Sequence, residues 1–388
     1  MAARRRHGSA RRAQASSRRS AQKIRYAVVG LGHIAQAAVL PAFQHAGENS
    51  ELVALVSDDP VKLKTLGKRY RVQALFSYDR YEDLLRSGLV DAVYICLPNA
   101  LHRAFAERAS RSGLHVLCEK PLANTEADCL AMIEAARLGG ALLMTAYRLH
   151  FEDANMEAVE TVRSGRLGEV RYFSSDFSMQ ARPGDVRLRR DLGGGTLWDL
   201  GVYCINAARY LFQAEPEEVV ALSIGGADSD GRFKEVDEMT SAVLRFPGGR
   251  LATFTSSFGA SDVSSFRIVG TKGDLRCEPA YEFVMDLEHA LTIGGKKKQR
   301  SFPKRDQFAP ELVYFSDCIL NREEPEPSGE EGLADVRIIE ALYRSARERR
   351  PILLPPFEKA RRPGRAQEIR RPAIAKEPKL VHTAPPSL

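Results

Sequence analysis

Ile24-Arg25-Tyr26-Ala27-Val28-Val29-Gly30-Leu31-Gly32-His33-Ile34-Ala35 is an apolar run that ends in a glycine turn and opens a helix. The turn fits G-x-G-x-x-A in the context that motif requires, strand before and helix after. Gly30 permits the tight turn, Gly32 lets the backbone approach a pyrophosphate, and Ala35 keeps helix and strand close. The helix N-terminus offers its N–H groups to that phosphate. With Leu31, His33 and Ile34, these residues form the candidate cofactor-binding turn.

Apolar runs and amphipathic stretches alternate outward from it. The runs Ile24–Val29, Leu52–Val56, Ala92–Cys96, His115–Cys118 and Ala141–Met144 read as strands buried on both faces. Helical patterns lie between them: Ile34–His45, Val61–Tyr70, Leu101–Arg111, and Thr125–Leu138 with Asn124 as its expected N-cap. The alternation predicts a parallel sheet of βαβ units. After residue 150 the pattern changes. Helices are expected at Asp153–Ser164 and from Thr196 to Phe212. Strands are expected at Val170–Phe177, Glu218–Ile224, Thr240–Phe246, Leu251–Ser257, Ser264–Val269 and Tyr281–Asp286. Pro247-Gly248-Gly249 and Thr271-Lys272-Gly273-Asp274 read as hairpin turns. Helices Pro310–Leu320 and Gly329–Arg349 close the fold. The fold class is therefore α/β: a doubly wound parallel sheet at residues 23–147, then an α+β domain with an open, mainly antiparallel sheet at residues 148–354.

The net charge of +7 hints at nucleic acid until it is located. Residues 1–22 carry +7 and residues 356–388 carry +5, which leaves the middle at −5. A DNA-binding domain would concentrate cations on a folded face. The two ends, 1–22 and 355–388, read instead as solvated, disordered basic tails, and no nucleic-acid partner is expected. The six cysteines form no C-x-x-C pair and no cluster with zinc spacing, so no metal site is expected. No run approaches 18 apolar residues, and no apolar segment follows the N-terminal arginine pairs. A cytoplasmic protein with no membrane partner is expected.

An acid about 20 residues past the motif would bind the ribose hydroxyls of NAD. That place holds neutral Ser57, with Lys62 five residues on, a pair suited to a 2′-phosphate. Asp58 could instead hold a ribose diol, or Asp58 or Asp59 could merely cap the next helix. NADP is the preferred cofactor, NAD the alternative. Two further strand ends face the expected ligand crevice. One is Cys96-Leu97-Pro98-Asn99, followed by Leu101-His102; the other is Cys118-Glu119-Lys120-Pro121-Leu122. Lys120 at such a position can hydrogen-bond a substrate hydroxyl and stabilise its alkoxide. In Gly193-Gly194-Gly195-Thr196-Leu197-Trp198-Asp199-Leu200-Gly201-Val202-Tyr203, Asp199 and Tyr203 are four apart and share a helical face. A phenol can relay a proton if a nearby cation stabilises its phenolate, and Lys120 is a candidate. Spacing alone favours a capping Asp and a core Tyr.

These motifs, with Ala146-Tyr147-Arg148-Leu149-His150 and Gly329-Glu330-Glu331-Gly332, resemble the glucose–fructose oxidoreductase/inositol 2-dehydrogenase (Gfo/Idh/MocA) family from about Lys23 to Ile352. Within it, the chain looks most like the glucose–fructose oxidoreductase branch. The resemblance implies a Rossmann domain, NADP or NAD, and a sugar or polyol substrate. It also implies a homo-oligomer (dimer or tetramer) built on the outer face of the second sheet. Lys120 then matches the lysine of the Glu-Lys-Pro motif, and Asp199 and Tyr203 match the catalytic acid and tyrosine. Ser57 and Lys62 match the grip on the 2′-phosphate, and Arg148 and Arg187 match arginines near the cofactor. Leu97, Pro98, Asn99, His102 and Glu119 complete the expected cofactor site. Two other readings stand beside a sugar oxidoreductase. One is a trans-dihydrodiol or sugar-phosphate dehydrogenase, with Arg182, Arg187, Arg189 and Arg190 as phosphate ligands. The other is a catalytically silent NADP-binding sensor or scaffold.

Overall fold

The computed structural model describes residues 22–226 and 229–387; all but the last residue of the expected N-terminal tail, 1–22, lies outside them. Six strands, β1 (Ile24–Val29), β2 (Ser50–Val56), β3 (Ala74–Phe76), β4 (Ala92–Ile95), β5 (His115–Glu119) and β6 (Leu143–Ala146), form a parallel sheet in the order β3-β2-β1-β4-β5-β6. The strand order reverses beside β1, so β1 and β4 flank the crevice in which such sheets bind nucleotides. The first turn of the helix after Gly32 is a π turn, Ala35–Val39. Asn124 does not cap the helix Glu126–Gly139. Thr125 does, accepting the Asp128 N–H at 3.1 Å, because the Asn124 amide points instead toward the Gly193 carbonyl.

The second sheet follows with β7 (Val170–Ser178), β8 (Glu218–Gly225), β9 (Asp237–Phe246), β10 (Arg250–Ser257), β11 (Val263–Gly270), β12 (Gly273–Cys277), β13 (Leu287–Ile293), β14 (Lys296–Phe302) and β15 (Ile352–Leu353). Its order is β14-β13-β12-β11-β7-β10-β9-β8-β15, antiparallel except for β7 with β10. Tyr281–Asp286 is not a strand. Tyr281 is fully buried, but the segment carries no ladder, and the strands are β13 and β14 on either side of Gly294-Gly295. Strand β9 shows why only one face is covered. Thr240, Ala242, Leu244 and Phe246 point inward, while Ser241, Val243 and Arg245 point out. The inner face packs on helices Val202–Phe212 and Gly329–Glu348. The outer face exposes Tyr172, Leu222, Ile224, Val243, Leu251 and Val263.

One apolar core runs through both sheets, joining Val93 and Leu122 to Trp198, Ile339 and Leu342. A buried ionic network stands beside it. Arg209, with no exposed surface, binds Glu215 at 2.6 Å, Glu331 at 2.8 Å and Asp335 at 2.7 Å. Asn206 joins Glu331 and Asp335, and His150 joins Asn206 at 2.8 Å and Glu326 at 3.2 Å. Tyr147 donates to Asp335. The motifs around Tyr147, Asn206 and Glu331 thus meet in a single cluster.

The segment expected as a solvated C-terminal tail is packed. Lys359 is buried between Glu326 and Glu331, Arg362 binds Glu215 at 2.8 Å, and the Ile369 N–H donates to the Phe151 carbonyl at 3.2 Å. Its cations answer carboxylates far away in sequence, and its prolines reduce the entropy lost on ordering. No described helix is long and apolar enough to cross a membrane.

Candidate active site

Gly30 adopts φ +92°, and a Cβ there would lie 2.6 Å from the Cys96 carbonyl oxygen, so only glycine lets β1 turn this close to β4. A Cβ at Gly32 would meet nothing within 4 Å. The turn therefore leaves open space at a helix N-terminus, which fits a pyrophosphate. Leu31 is buried, and His33 and Ile34 are half-buried at the rim. Burial, helped by the Arg187 cation, pushes the His33 imidazole down.

At the end of β2, Ser57 is buried and its Oγ accepts the Asp59 N–H at 3.2 Å. Asp59 caps the helix Pro60–Tyr70, accepting the N–H groups of Val61 at 2.9 Å and Lys62 at 3.0 Å. Asp58 accepts the Tyr78 N–H at 2.7 Å. Both acids are thus engaged by the backbone, which weakens the ribose-diol alternative. The Lys62 ammonium has no ion pair among the described residues.

At the end of β4, the Asn99 amide donates to the Gly193 carbonyl at 2.9 Å, tying this strand end to the glycine turn of the second domain. Leu97 is buried and Pro98 half-buried beside it. His102 does not face the crevice, contrary to its expected cofactor contact. Its ring is fully buried, with Nε2 2.9 Å from the Leu97 carbonyl and Nδ1 3.0 Å from that of Pro121. It ties the ends of β4 and β5 together instead.

Lys120 stands at the end of β5. Its ammonium donates to Asp199 Oδ1 at 3.1 Å and to the Asp199 carbonyl at 2.9 Å, and lies 4.6 Å from the centroid of the Tyr203 ring. Arg187 Nε donates to the other Asp199 oxygen at 2.6 Å and its Nη1 to Asp185 at 3.2 Å. Burial alone would raise the Asp199 carboxyl, but Arg187 and Lys120 hold it well below the usual carboxylate range. Burial would lower Lys120, but Asp199, Tyr203 and Glu119 raise it, so it is a firm ammonium. Asp199 and Tyr203 are not stacked along a regular helix as their spacing implied. Leu197–Gly201 is a π turn, and the lysine sits between the two side chains.

The Tyr203 hydroxyl lies 3.3 Å from Arg148 Nη2. Arg148 is buried, and its guanidinium also binds Gln307 and the Tyr281 carbonyl. Its first role is therefore to anchor the phenol. Glu119 is buried as well, and the Tyr94 hydroxyl bridges it, at 3.1 Å, to Glu311, at 3.2 Å. Burial pushes both carboxyls up, and Glu119 pushes Glu311 further. The sequence reading missed Glu311, Gln307 and Tyr281, which sit in stretches without any motif. The four arginines that the sugar-phosphate alternative offers to a phosphate, and that read equally as a solvated loop, are all engaged. In the structure Arg187 serves Asp199, Arg189 binds Asp191 at 2.5 Å, Arg190 donates to the Glu235 carbonyl, and Arg182 donates to the Ser387 carbonyl.

A crevice with an open glycine turn on one wall and a lysine–carboxylate–phenol group on the other can hold a dinucleotide beside a hydroxylated substrate. The model of an oxidoreductase family with an NAD-binding Rossmann fold matches residues 24–147, and that of a GFO/IDH/MocA C-terminal domain matches residues 156–276. The chain belongs to the GFO/IDH/MocA family. Among its relatives, D-xylose 1-dehydrogenase [NADP(+)] of Haloarcula marismortui is 33% identical over 83% of this chain and 91% of the relative. An aldose-aldose oxidoreductase of Caulobacter crescentus, solved with glycerol, is 42% identical with TM-score 0.81, over 86% of this chain and all of that one. A 3-ketoreductase of Actinomadura kijaniata, solved with NADP and TDP-benzene, is 29% identical with TM-score 0.76, over 83% and 98% of the two chains. The chain is thus an NAD(P)-dependent oxidoreductase acting on CH–OH groups, and its first domain is the NAD-binding one.

Proposed function

We propose that this protein is an NADP-preferring oxidoreductase that moves hydride between the nicotinamide and a hydroxyl carbon of a small sugar or polyol. The observation that carries it is the placement of one ammonium, Lys120, against both Asp199 and the Tyr203 ring at the carboxyl end of β5. The bound nicotinamide supplies the hydride acceptor or donor. Tyr203 relays the hydroxyl proton, and Lys120 stabilises the developing alkoxide. Asp199, kept ionised by Arg187 and Lys120, accepts a hydrogen bond from a neighbouring substrate hydroxyl. Ser57 and Lys62 take the 2′-phosphate. NADP is the cofactor named for the xylose dehydrogenase relative and the one bound in the 3-ketoreductase. With all four loop arginines engaged, an unphosphorylated sugar is favoured over a sugar phosphate.

The exposed apolar face of the second sheet supports assembly into a homo-oligomer. The buried, unpaired cysteines fit a reducing, cytoplasmic setting.

The test is an aldose and polyol panel with NADP⁺, followed at 340 nm, on wild type and Lys120→Ala. Turnover with at least one aldose, reduced about a hundredfold or more in the variant while NADP still binds, is expected. No turnover across the panel with NADP bound tightly would leave the sensor reading instead. Preference for an aldose phosphate in kcat/KM would overturn the substrate class.

A further inference from the structure

Residues 381–387 bridge the two walls of the nucleotide crevice. On the first wall, the Gln36 side chain is fully buried one turn into the helix that follows Gly32. Its Nε2 donates both to the Leu31 carbonyl, inside the glycine turn, and to the Val381 carbonyl, each at 2.9 Å. Its Oε1 accepts the Val381 N–H at 2.8 Å. One glutamine thus holds the nucleotide turn and the C-terminal segment in a reciprocal pair. The next residue, His382, meets the Asp59 carboxylate at 2.9 Å, two residues from Ser57. Upstream, the Lys379 carbonyl accepts from Arg69 at 2.8 Å.

The chain then leaves the first domain. The Arg182 N–H donates to the Pro386 carbonyl at 2.8 Å, Arg182 Nη2 donates to the Ser387 carbonyl at 3.1 Å, and Ala181 bridges to Ser387. Ala181 and Arg182 open the loop that carries Asp185 and Arg187, the groups in electrostatic reach of His33 at the turn. From His382 to Ser387 the backbone spans at most about 17 Å at full extension. It starts beside the adenosine end of the crevice and finishes on the opposite domain. Pro385 and Pro386 stiffen that crossing.

We propose that residues 381–387 are a strap across the mouth of the dinucleotide crevice, forming its outer wall and slowing release of the bound nucleotide. The inference rests on the NADP reading of the crevice. A nucleotide seated on the glycine turn, with its ribose end at Ser57, can leave only when the strap lifts from Gln36 and Asp59 or from Ala181 and Arg182. The anchors are a few hydrogen bonds, the His382–Asp59 contact and the packing of Val381 against the first domain's core, so lifting needs no unfolding of either domain. The strap makes release, rather than binding strength alone, a separate control on turnover.

The test compares full-length protein with a chain ended after Leu380. Each is loaded with NADPH and mixed in stopped flow with excess NADP⁺, and loss of the NADPH fluorescence gives the release rate. Release at least tenfold faster in the shortened chain is expected. Should the shortened chain fold poorly, Val381→Pro, which removes the backbone donor to Gln36 and fixes φ at that position, is expected to speed release in the same direction. Equal release rates in all three proteins would overturn the strap. So would slower release and tighter binding after truncation, which would make residues 381–387 a competitor for the crevice. Failure of full-length protein to bind NADPH or NADH at all would sink the cofactor reading and the strap with it.

Discussion

Replacing Tyr203 by Phe removes one oxygen and leaves everything else around the ring in place. The ring packs on Phe177 and Tyr281 with centroids 5.5 and 5.8 Å away, and it carries Lys120 at 4.6 Å and Arg148 at 5.2 Å over its face. None of those contacts needs the hydroxyl. What is lost is a 3.3 Å contact to Arg148, which still binds Gln307 and the Tyr281 carbonyl. A hydrogen bond that long sits at the weak end of the usual ~0.5–1.5 kcal/mol. The melting temperature should therefore fall by no more than about 2 °C. Turnover should respond quite differently. A positioned proton relay is worth about 10²–10⁴ in rate, so kcat should drop at least about a hundredfold, or about 2.7 kcal/mol in barrier. NADP affinity should hold, because the phenol faces the substrate side. The assay is steady-state and single-turnover absorbance at 340 nm with the best aldose of the panel, beside a fluorescence titration of NADPH. A kcat within about fivefold of wild type would refute the relay. A raised KM with kcat intact would make Tyr203 a substrate-binding group instead.

Gly30→Ala forces a side chain onto the Cys96 carbonyl at a φ that L residues avoid. NADP affinity by fluorescence titration should fall steeply, and an unchanged affinity would contradict the turn's role. Arg209→Ala leaves the buried Asp335 carboxyl without a cation and takes one of two cations from Glu215 and Glu331, which keep Arg362 and Lys359. Urea unfolding should show a loss of about 3–5 kcal/mol, and less when Glu331→Gln and Asp335→Asn accompany an Arg209→Met change. The His289 ring lies buried against Phe302, and burial, helped by Arg300, pushes it down to about 4. Between the unfolded value near 6.5 and 4, the unfolded chain binds the extra proton. Stability must then fall as pH drops through that window, by up to about 3 kcal/mol below it. His289→Gln should flatten the difference between urea midpoints at pH 7 and pH 5.

The parallel sheet was legible because β1, β4 and β5 are continuous apolar runs with turn residues at their ends. Three-residue β3 is too short to carry a period. The Lys296-Lys297-Lys298-Gln299-Arg300 stretch of β14 is an edge strand whose charges discourage further pairing, so it shows no apolar alternation. Tyr281 misled because a buried aromatic at the end of a loop looks like a strand residue. At the site, Lys120, Asp199 and Tyr203 stood out as chemistry-bearing residues in motifs, whereas Gln307 and Glu311 act from a loop and a helix that carry no site motif. The C-terminal segment was misread because Lys359 and Arg362 look solvated until Glu326, Glu331 and Glu215 come near them in three dimensions. Spacing placed Asp199 and Tyr203 one above the other, because spacing assumes 3.6 residues per turn.

That assumption fails at Leu197–Gly201, and the failure has a reach of its own. The wide turn holds one residue more than an ordinary helix would. Shortening this stretch by a single position would restore the regular spiral and swing the carboxylate roughly a quarter-turn around the axis, away from its two cations, with the phenol left where it is. Asp199 and Tyr203 would both survive such a deletion while the acid no longer met the ammonium. In this protein the count of residues between carboxylate and phenol carries as much chemical information as their identities.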